Sequence, residues 1–292
     1  MLATRFKRVA VLVFAVVLAA GLTAPGTAAD RASEPKPSLD LTAAQTEFLP
    51  LEPILITLRV EGEGAALPPG PGESKAGSLR FEVEPAVKPR PGAKPLPLER
   101  QVADAQARHY DLFEWFRFPA GTFTVRAVLE QKGSKLTSAP VRFTIGKVAK
   151  GDREEQPVAR IHHTPWCNYD TDKFCGDTFD LVQTWPNSRL AKYCHYWNGR
   201  YSQNKNEHDK AIASFRTVIE KYPEFALADD AEYGIVECLV AQKKLREARE
   251  RASALQKKCA ERAPAEGGKG QTAVQRLVEG MSRRLDRELS RR

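Results

Sequence analysis

The stretch "AIASFRTVIEKYP", residues Ala211–Pro223, decides how the second half of the chain is interpreted. Its apolar residues recur at steps of three and four: Ala211, Phe215, Val218 and Ile219. Gly199 lies 12 residues before Ala211, and Pro223 lies eight residues after Phe215. A glycine and an alanine let two helices approach closely, a phenylalanine fills the gap, and a proline ends the second helix. The spacing therefore predicts a pair of packed helices.

A second copy of this pattern follows 37 residues later. "LADDAEYGIVECLVAQKKLREARERASALQKK" predicts a helix over Ala228–Ala241, a turn at Gln242–Lys244 and another helix to about Lys258. Ala248 occupies the position of Ala211, while Ala252 replaces the phenylalanine. Over about residues 186–260, the sequence resembles tetratricopeptide (TPR) proteins of the bacterial envelope, where a repeat ending in Tyr-Pro leads into an Ala-rich helix.

The TPR resemblance implies a protein-binding scaffold without chemistry of its own. In such repeats the first helix of each pair lines a concave surface that receives a peptide or protein partner. By this resemblance the partner-binding residues are Tyr193, Trp197, Asn198, Tyr201, Tyr233 and Glu237. The same side chains are equally compatible with positions in the core.

The first half of the chain alternates apolar and polar residues, as half-buried strands do. The segments are "ILITLRV" (Ile54–Val60), "LRFEV" (Leu79–Val83), "GTFTVRAVLE" (Gly121–Glu130) and "PVRFTI" (Pro140–Ile145). "QKGSK", residues 131–135, predicts a hairpin turn between the last two. Short strands separated by turns are typical of an antiparallel sandwich. "PAGTFTVRAVL" followed by "SAPVRFTI" resembles the closing strands of immunoglobulin-like domains in bacterial exported proteins.

The sequence thus predicts a multidomain protein in which an all-β immunoglobulin-like sandwich precedes all-α TPR-like helical hairpins. Its predicted parts are a signal peptide (1–29), the β domain (30–148), a linker with a Cys-containing loop (149–185) and the helical domain (186–292). The segment "QTAVQRLVEGMSRRLDRELSRR" predicts a last helix with an apolar stripe. A terminal repeat needs a cap with a polar outer face, and this helix fits that requirement.

The first 29 residues have the layout of a secretory signal peptide. Basic residues precede an apolar run from Val9 to Leu22, and small residues follow, with Thr27 and Ala29 before a plausible cleavage point. An uncleaved anchor is the alternative. We therefore expect a periplasmic or secreted protein, with no membrane span after cleavage.

The net charge of +8 is unevenly distributed along the chain. Residues 243–292 carry 15 Lys and Arg against 7 Asp and Glu, so the basic charge belongs to the C-terminal end. A solvated helix face explains this charge, and an exported location argues against a nucleic-acid partner. The expected partner is a protein or peptide of the cell envelope, in an unknown oligomeric state.

The segment "HHTPWCNYDTDKFC", His162–Cys175, gathers potential metal ligands. Its cysteines are eight residues apart, which does not match the close pairs of zinc sites, and the calcium-loop pattern also fails. A disulfide-stapled loop is favoured, with Cys167–Cys175 and Cys175–Cys194 as possible bridges. A metal-binding protein using this segment is kept as an alternative.

The stretch "HYDLFEWFRF", residues 109–118, contains five aromatic residues. Core packing explains it, and an exposed strip near Trp115 that binds carbohydrate or another surface is the alternative. The sequence contains no nucleophile elbow, phosphate loop or dinucleotide fingerprint. We therefore predict no catalytic residue, no resident metal and no cofactor.

Overall fold

The fold consists of a sheet region followed by helices. A computed structural model describes residues 37–61, 67, 72–74, 77–89, 107–131, 133–161, 172–262 and 273–290, which belong to one compact unit, Lys36–Arg292. The strands are β1 (Ser38–Ala43), β2 (Glu47–Phe48), β3 (Leu55–Glu61), β4 (Gly72–Ser74), β5 (Gly77–Glu84), β6 (Lys88–Pro89), β7 (Ala107–Asp111), β8 (Phe116–Arg117), β9 (Gly121–Gln131), β10 (Ser134–Thr137) and β11 (Val141–Ile145). The helices are α1 (Leu112–Trp115), α2 (Glu155–Ile161), α3 (Asp172–Thr184), α4 (Ala191–Asn204), α5 (His208–Lys221), α6 (Ala228–Ala241), α7 (Leu245–Arg262) and α8 (Ala273–Leu289).

Two larger sheets and one short strand pair make up the described sheet region. The first sheet has the order β1–β3–β7, and the second has the order β2–β11–β9–β5–β4, with β10 also paired to β9. The four predicted strands are confirmed as β3, β5, β9 and β11. The predicted turn after Gln131 leads into β10, which pairs antiparallel with β9 ahead of β11. The immunoglobulin-like strand arrangement is not shown by this topology.

The two larger sheets share one apolar core. Alternate residues of β3, among them Ile56 and Leu58, are completely buried on the core side. The Phe81 ring of the second sheet meets the Tyr110 ring of the first, with their centroids 5.9 Å apart and edge to face. The period-two pattern therefore places the apolar side chains between the sheets.

The aromatic stretch lies in this core. Trp115 is 8% exposed, and its ring centroid is 4.6 Å from that of Phe81. The chain turns here because the buried Asp111 carboxylate accepts hydrogen bonds from the backbone N–H of Ile54 and Phe113, which starts α1. The alternative of an exposed aromatic strip around Trp115 is therefore wrong.

The helical half confirms the repeat spacing. Helices α6 and α7 begin 37 residues after α4 and α5, and α6 has the predicted bounds. Helix α5 ends at Lys221, two residues before Pro223. The last helix, α8, packs on α7 and turns Arg283, Arg284 and Arg287 outward. None of the helices in the described ranges is long and apolar enough to span a membrane.

Two further helices, α2 and α3, occupy part of the segment interpreted as linker and loop. Helix α3 buries Phe174, Thr178 and Leu181 at steps of four and three, which is a helical stripe. A threonine at the centre of the stripe and a glycine at position 176 weaken this signal in the sequence. The helical half therefore begins before residue 186.

Candidate functional site

The Phe215 side chain of α5 is a wedge between α4 and α6. A Cβ atom at Gly199 of α4 would lie 2.6 Å from the Phe215 ring, and a Cβ atom at Gly234 of α6 would also lie 2.6 Å from it. Because real Cβ atoms do not approach this closely, only glycine fits on either side of the ring. The predicted role of Gly199 is confirmed. Gly234, which the sequence pattern does not single out, lets α6 approach the same ring from the other side.

The helices α4 and α5 form one hairpin, and α6 and α7 form the next. Polar contacts join α4 to α6, the first helices of these two hairpins. The Tyr196 hydroxyl donates to Asp230 Oδ2 over 2.6 Å, and Gln203 Nε2 donates to Glu237 Oε2 over 3.1 Å. Both pairs are separated by 34 residues, so one face of α4 is in register with one face of α6. This regular stacking, together with the wedge, makes the helices TPR-like.

The residues predicted to bind a partner lie mostly inside the molecule. Tyr193, Trp197, Asn198 and Tyr233 are at most 5% exposed. Tyr201 and Glu237 are half-buried; the Tyr201 hydroxyl donates to Asp172. The Asn198 amide oxygen accepts a hydrogen bond of 2.5 Å from Thr178 of α3. Partner binding by these six residues stays a prediction.

A buried carboxylate joins the sheet region to the start of α4. Glu52 is completely buried and accepts hydrogen bonds of 2.8 Å from the Leu49 backbone N–H and from Gln45 Nε2. From the helical half, Arg189 Nη2 lies 3.1 Å from Glu52 Oε2, and the Tyr193 hydroxyl donates to Oε1 over 3.3 Å. A buried carboxylate needs several donors to replace its lost hydration, and here the donors come from both halves of the chain. These contacts therefore fix one half against the other.

Lys192 and a second buried carboxylate, Glu154, add to the contacts around the start of α4. Lys192 Nζ lies 3.7 Å from Glu52, and burial lowers the pKa of the lysine although Glu52 opposes the shift. Glu154, ahead of α2, is 3% exposed and accepts hydrogen bonds from Ser188 Oγ (2.6 Å) and the Arg189 backbone N–H (3.1 Å). Glu52 and Glu154 thus both accept hydrogen bonds from the turn that precedes α4.

A cleft of about 860 Å³ opens between the first sheet and the helices. Its sheet wall consists of polar side chains on the face opposite the core, including Asp40, Thr42, Thr57, Arg59, Glu61 and His109. Its helical wall comes from the α5–α6 connection and the ends of α6, α7 and α8, including Glu224, Ala226, Asp229, Asp230, Lys258 and Gln275. Its volume lies in the range of ligand-binding pockets. No local pattern in the sequence indicates this cleft, because its walls come from segments that are far apart in the chain.

His109 lies on the sheet wall of the cleft. Its Nδ1 atom is 2.8 Å from Thr57 Oγ1, directly across the strand pair. Burial lowers the pKa of His109 to about 4, an effect that the nearby carboxylates of Asp230 and Asp229 oppose and Arg59 reinforces. The imidazole is therefore neutral near pH 7 and adds no positive charge to the cleft.

The predicted disulfides of Cys175 and Cys194 are wrong, because both residues are free, buried thiols. Cys175 Sγ faces the Asn198 amide oxygen, 3.9 Å away. Burial raises the pKa of Cys175 to about 12 and that of Cys194 well above its ordinary value. Neither side chain is a thiolate near neutral pH. Cys167 lies outside the described residues.

The metal-binding alternative depends largely on residues outside the described ranges, His162, His163 and Cys167. Asp172, in the same segment, lies 2.5 Å from the Tyr201 hydroxyl and 3.2 Å from Lys205 Nζ. Among the residues that the structure describes, no three His, Cys, Asp or Glu side chains are grouped as a metal site.

The comparisons with known proteins add little to this geometry. No protein-family model and no curated protein matches the chain. One matching solved structure is the complex of the TPR2B domain of yeast Sti1 with pHsp70, at 15% sequence identity and a TM-score of 0.34, covering 47% of this chain and 97% of that chain. The TPR-like description of the helices therefore depends on their 37-residue period and on the Phe215 wedge.

Proposed function

We propose that the protein is a non-enzymatic scaffold that binds a protein or peptide partner through its TPR-like helices and the sheet packed against them. The observation that supports this best is the cleft, because its two walls come from different halves of the chain. The Glu52 contacts hold the sheet region against the helices, and the Phe215 wedge fixes α4 and α6 relative to each other. A preformed cleft of this size can bind a segment of another chain without large reorganisation.

Selection of random peptides displayed on phage, with the full-length purified chain as bait, tests this function. We expect recurrent sequences that also bind as synthetic peptides. Ala226→Trp places a large ring in the cleft wall and is expected to abolish their binding. Ala213→Trp, at an exposed position of α5, is the matched control and should leave binding unchanged. Failure to enrich any peptide, or equal binding by the Ala226→Trp chain, contradicts the proposal.

We also propose that the sheet region is immunoglobulin-like and that the protein is exported, to the periplasm or beyond. The alternating strands favour the first point, and the order of basic, apolar and small residues in positions 1–29 favours the second. After expression of the whole chain in a bacterial host, we expect a periplasmic product that begins at Asp30. A product that stays in the cytoplasm with its first residues intact contradicts export.

A further inference from the structure

We infer that the cleft receives a basic polypeptide segment and that an Arg or Lys side chain of this segment pairs with Asp230. The inference rests on the proposed scaffold function and adds the chemistry of the partner. It depends on the charge of the cleft walls, on the surroundings of Asp230 and on the adjoining edge of the first sheet.

The cleft walls carry an excess of negative charge. Their acidic residues are Asp40, Glu61, Glu224, Asp229 and Asp230, and their basic residues are Arg59 and Lys258. Lys258 Nζ already lies 2.9 Å from Asp229 Oδ1. The charged side chains of the cleft therefore sum to −3, although the whole chain carries +8. A concave surface of one sign concentrates ligands of the opposite sign.

Asp230 is the buried acid of this set. It is 2% exposed and lies in the first turn of α6. Its Oδ2 accepts the Tyr196 hydroxyl hydrogen at 2.6 Å and lies 3.9 Å from Arg200 Nη1. Among the described atoms, its Oδ1 has no hydrogen-bond partner. A buried carboxylate oxygen strongly favours a donor, and a guanidinium or ammonium group supplies a charge-assisted hydrogen bond.

The adjoining strand favours a polypeptide over a small cation. Strand β1 is at the edge of the first sheet, where it pairs with β3 in the part of the chain that the structure describes. Asp40 and Thr42 of this strand line the cleft. An extended peptide can add to such an edge through backbone hydrogen bonds while its side chains reach into an adjacent pocket. The edge therefore offers backbone contacts, and the acids select basic side chains.

Fluorescence anisotropy with the full-length chain tests the inference. The probe is the labelled hexapeptide Ala-Arg-Ala-Arg-Ala-Arg, and its matched control replaces each arginine with the uncharged isostere citrulline. We expect saturable binding of the arginine peptide that weakens as salt rises, and binding of the citrulline peptide that is at least about tenfold weaker. Free arginine is expected to compete much more weakly than the peptide.

Three variants assign the binding to the cleft. Asp230→Asn keeps the shape of the side chain and should weaken binding of the arginine peptide by about tenfold. Asp40→Asn, at an exposed position, should weaken it less and serves if the first variant folds poorly. Glu220→Gln removes an exposed acid of α5 outside the cleft wall and should leave the affinity unchanged. Circular dichroism checks the folding of each variant.

The outcomes separate this inference from the scaffold function. Equal binding of the arginine and citrulline peptides, or unchanged affinity in both Asp230→Asn and Asp40→Asn, overturns the inference. Phage-selected peptides that bind in the cleft without any basic bias also overturn it while leaving the scaffold function intact. Competition by free arginine at the same concentration as the peptide identifies a small-molecule site and overturns the polypeptide assignment.

Discussion

Helix α4 is held in two different ways along its length. In its second half Gly199 meets the Phe215 ring, a contact without charged groups. At its N-terminal end the residues around Arg189 lie against the buried carboxylates of Glu52 and Glu154. Apolar packing is non-directional, whereas a buried carboxylate requires particular donors in particular places. The first contact therefore sets how firmly the hairpins hold together, and the second sets where the sheet region lies against them.

Removal of the wedge is expected to have the largest effect. Phe215→Ala should lower the free energy of unfolding by about 3 to 5 kcal/mol, because it leaves a cavity between two glycines that cannot fill it. Urea denaturation of the purified chain measures the change. Ile212→Ala, on the half-buried side of the same helix, is the control and should have a smaller effect. Equal losses in both variants would show that the wedge has no special role.

Acid is expected to have the next largest effect, through His109 on the sheet wall of the cleft. His109 has a pKa of about 4 in the folded chain and about 6.5 when unfolded. Between these values the unfolded chain binds a proton that the folded chain does not, so folding stability falls as the pH drops from 6.5 to 4, by at most ~3 kcal/mol from this group. His109→Gln should remove that part of the decrease. Parallel stability curves for wild type and variant over this range would contradict the assignment.

Neutralising Glu52, the buried carboxylate between the sheet region and α4, should have a somewhat smaller effect. Glu52→Gln leaves Arg189 and Lys192 facing an uncharged group, although both can still reach water. We expect a loss of about 2 to 3 kcal/mol in the free energy of unfolding. Glu47→Gln, an exposed acid on β2, should change stability by less than about 0.5 kcal/mol. If Glu52→Gln is as stable as this control, the ion pairs of Glu52 with Arg189 and Lys192 are not what fixes the sheet region against the helices.

The smallest expected effects have opposite signs at two helical glycines. Gly199→Ala should destabilise the chain by about 1 to 3 kcal/mol, because its Cβ overlaps the Phe215 ring. At Gly280 of α8 an added Cβ meets nothing within 4 Å. Gly280→Ala should therefore stabilise the chain by about 0.5 to 1 kcal/mol through better helix propensity. Thermal unfolding of both variants measures the difference, and a gain at Gly199 would contradict the close approach.

The local contacts were predictable from the sequence, and the long-range contacts were not. Gly199, Phe215 and Pro223 act within one hairpin, so their spacing predicts their roles. Gly234 lies 35 residues after Gly199, two short of the 37-residue period, so the repeat pattern does not predict it. Glu52 and Arg189 are 137 residues apart, and nothing in either local sequence predicts that they meet. The cleft depends on the same placement of the sheet against the helices.

The predicted binding residues show the same distinction. The TPR resemblance places Tyr193 on a concave surface because it lies on the first helix of a pair. In the structure its hydroxyl is 3.3 Å from Glu52 and 3.4 Å from the Pro53 carbonyl oxygen, so the sheet region covers it. Periodicity identifies which face of a helix is apolar, but it does not identify which neighbour covers that face.

The position of Phe215 also has a consequence for how the protein opens. Repeat proteins are commonly described as units that unfold one by one, each contacting its neighbours. Here the Phe215 ring of the first hairpin packs on α4 and also on α6 of the second, so unfolding of the second hairpin exposes the ring and unfolding of the first removes the ring from α6. We therefore expect the two hairpins to open as one cooperative unit, with their backbone amides exchanging with solvent deuterium through one shared event.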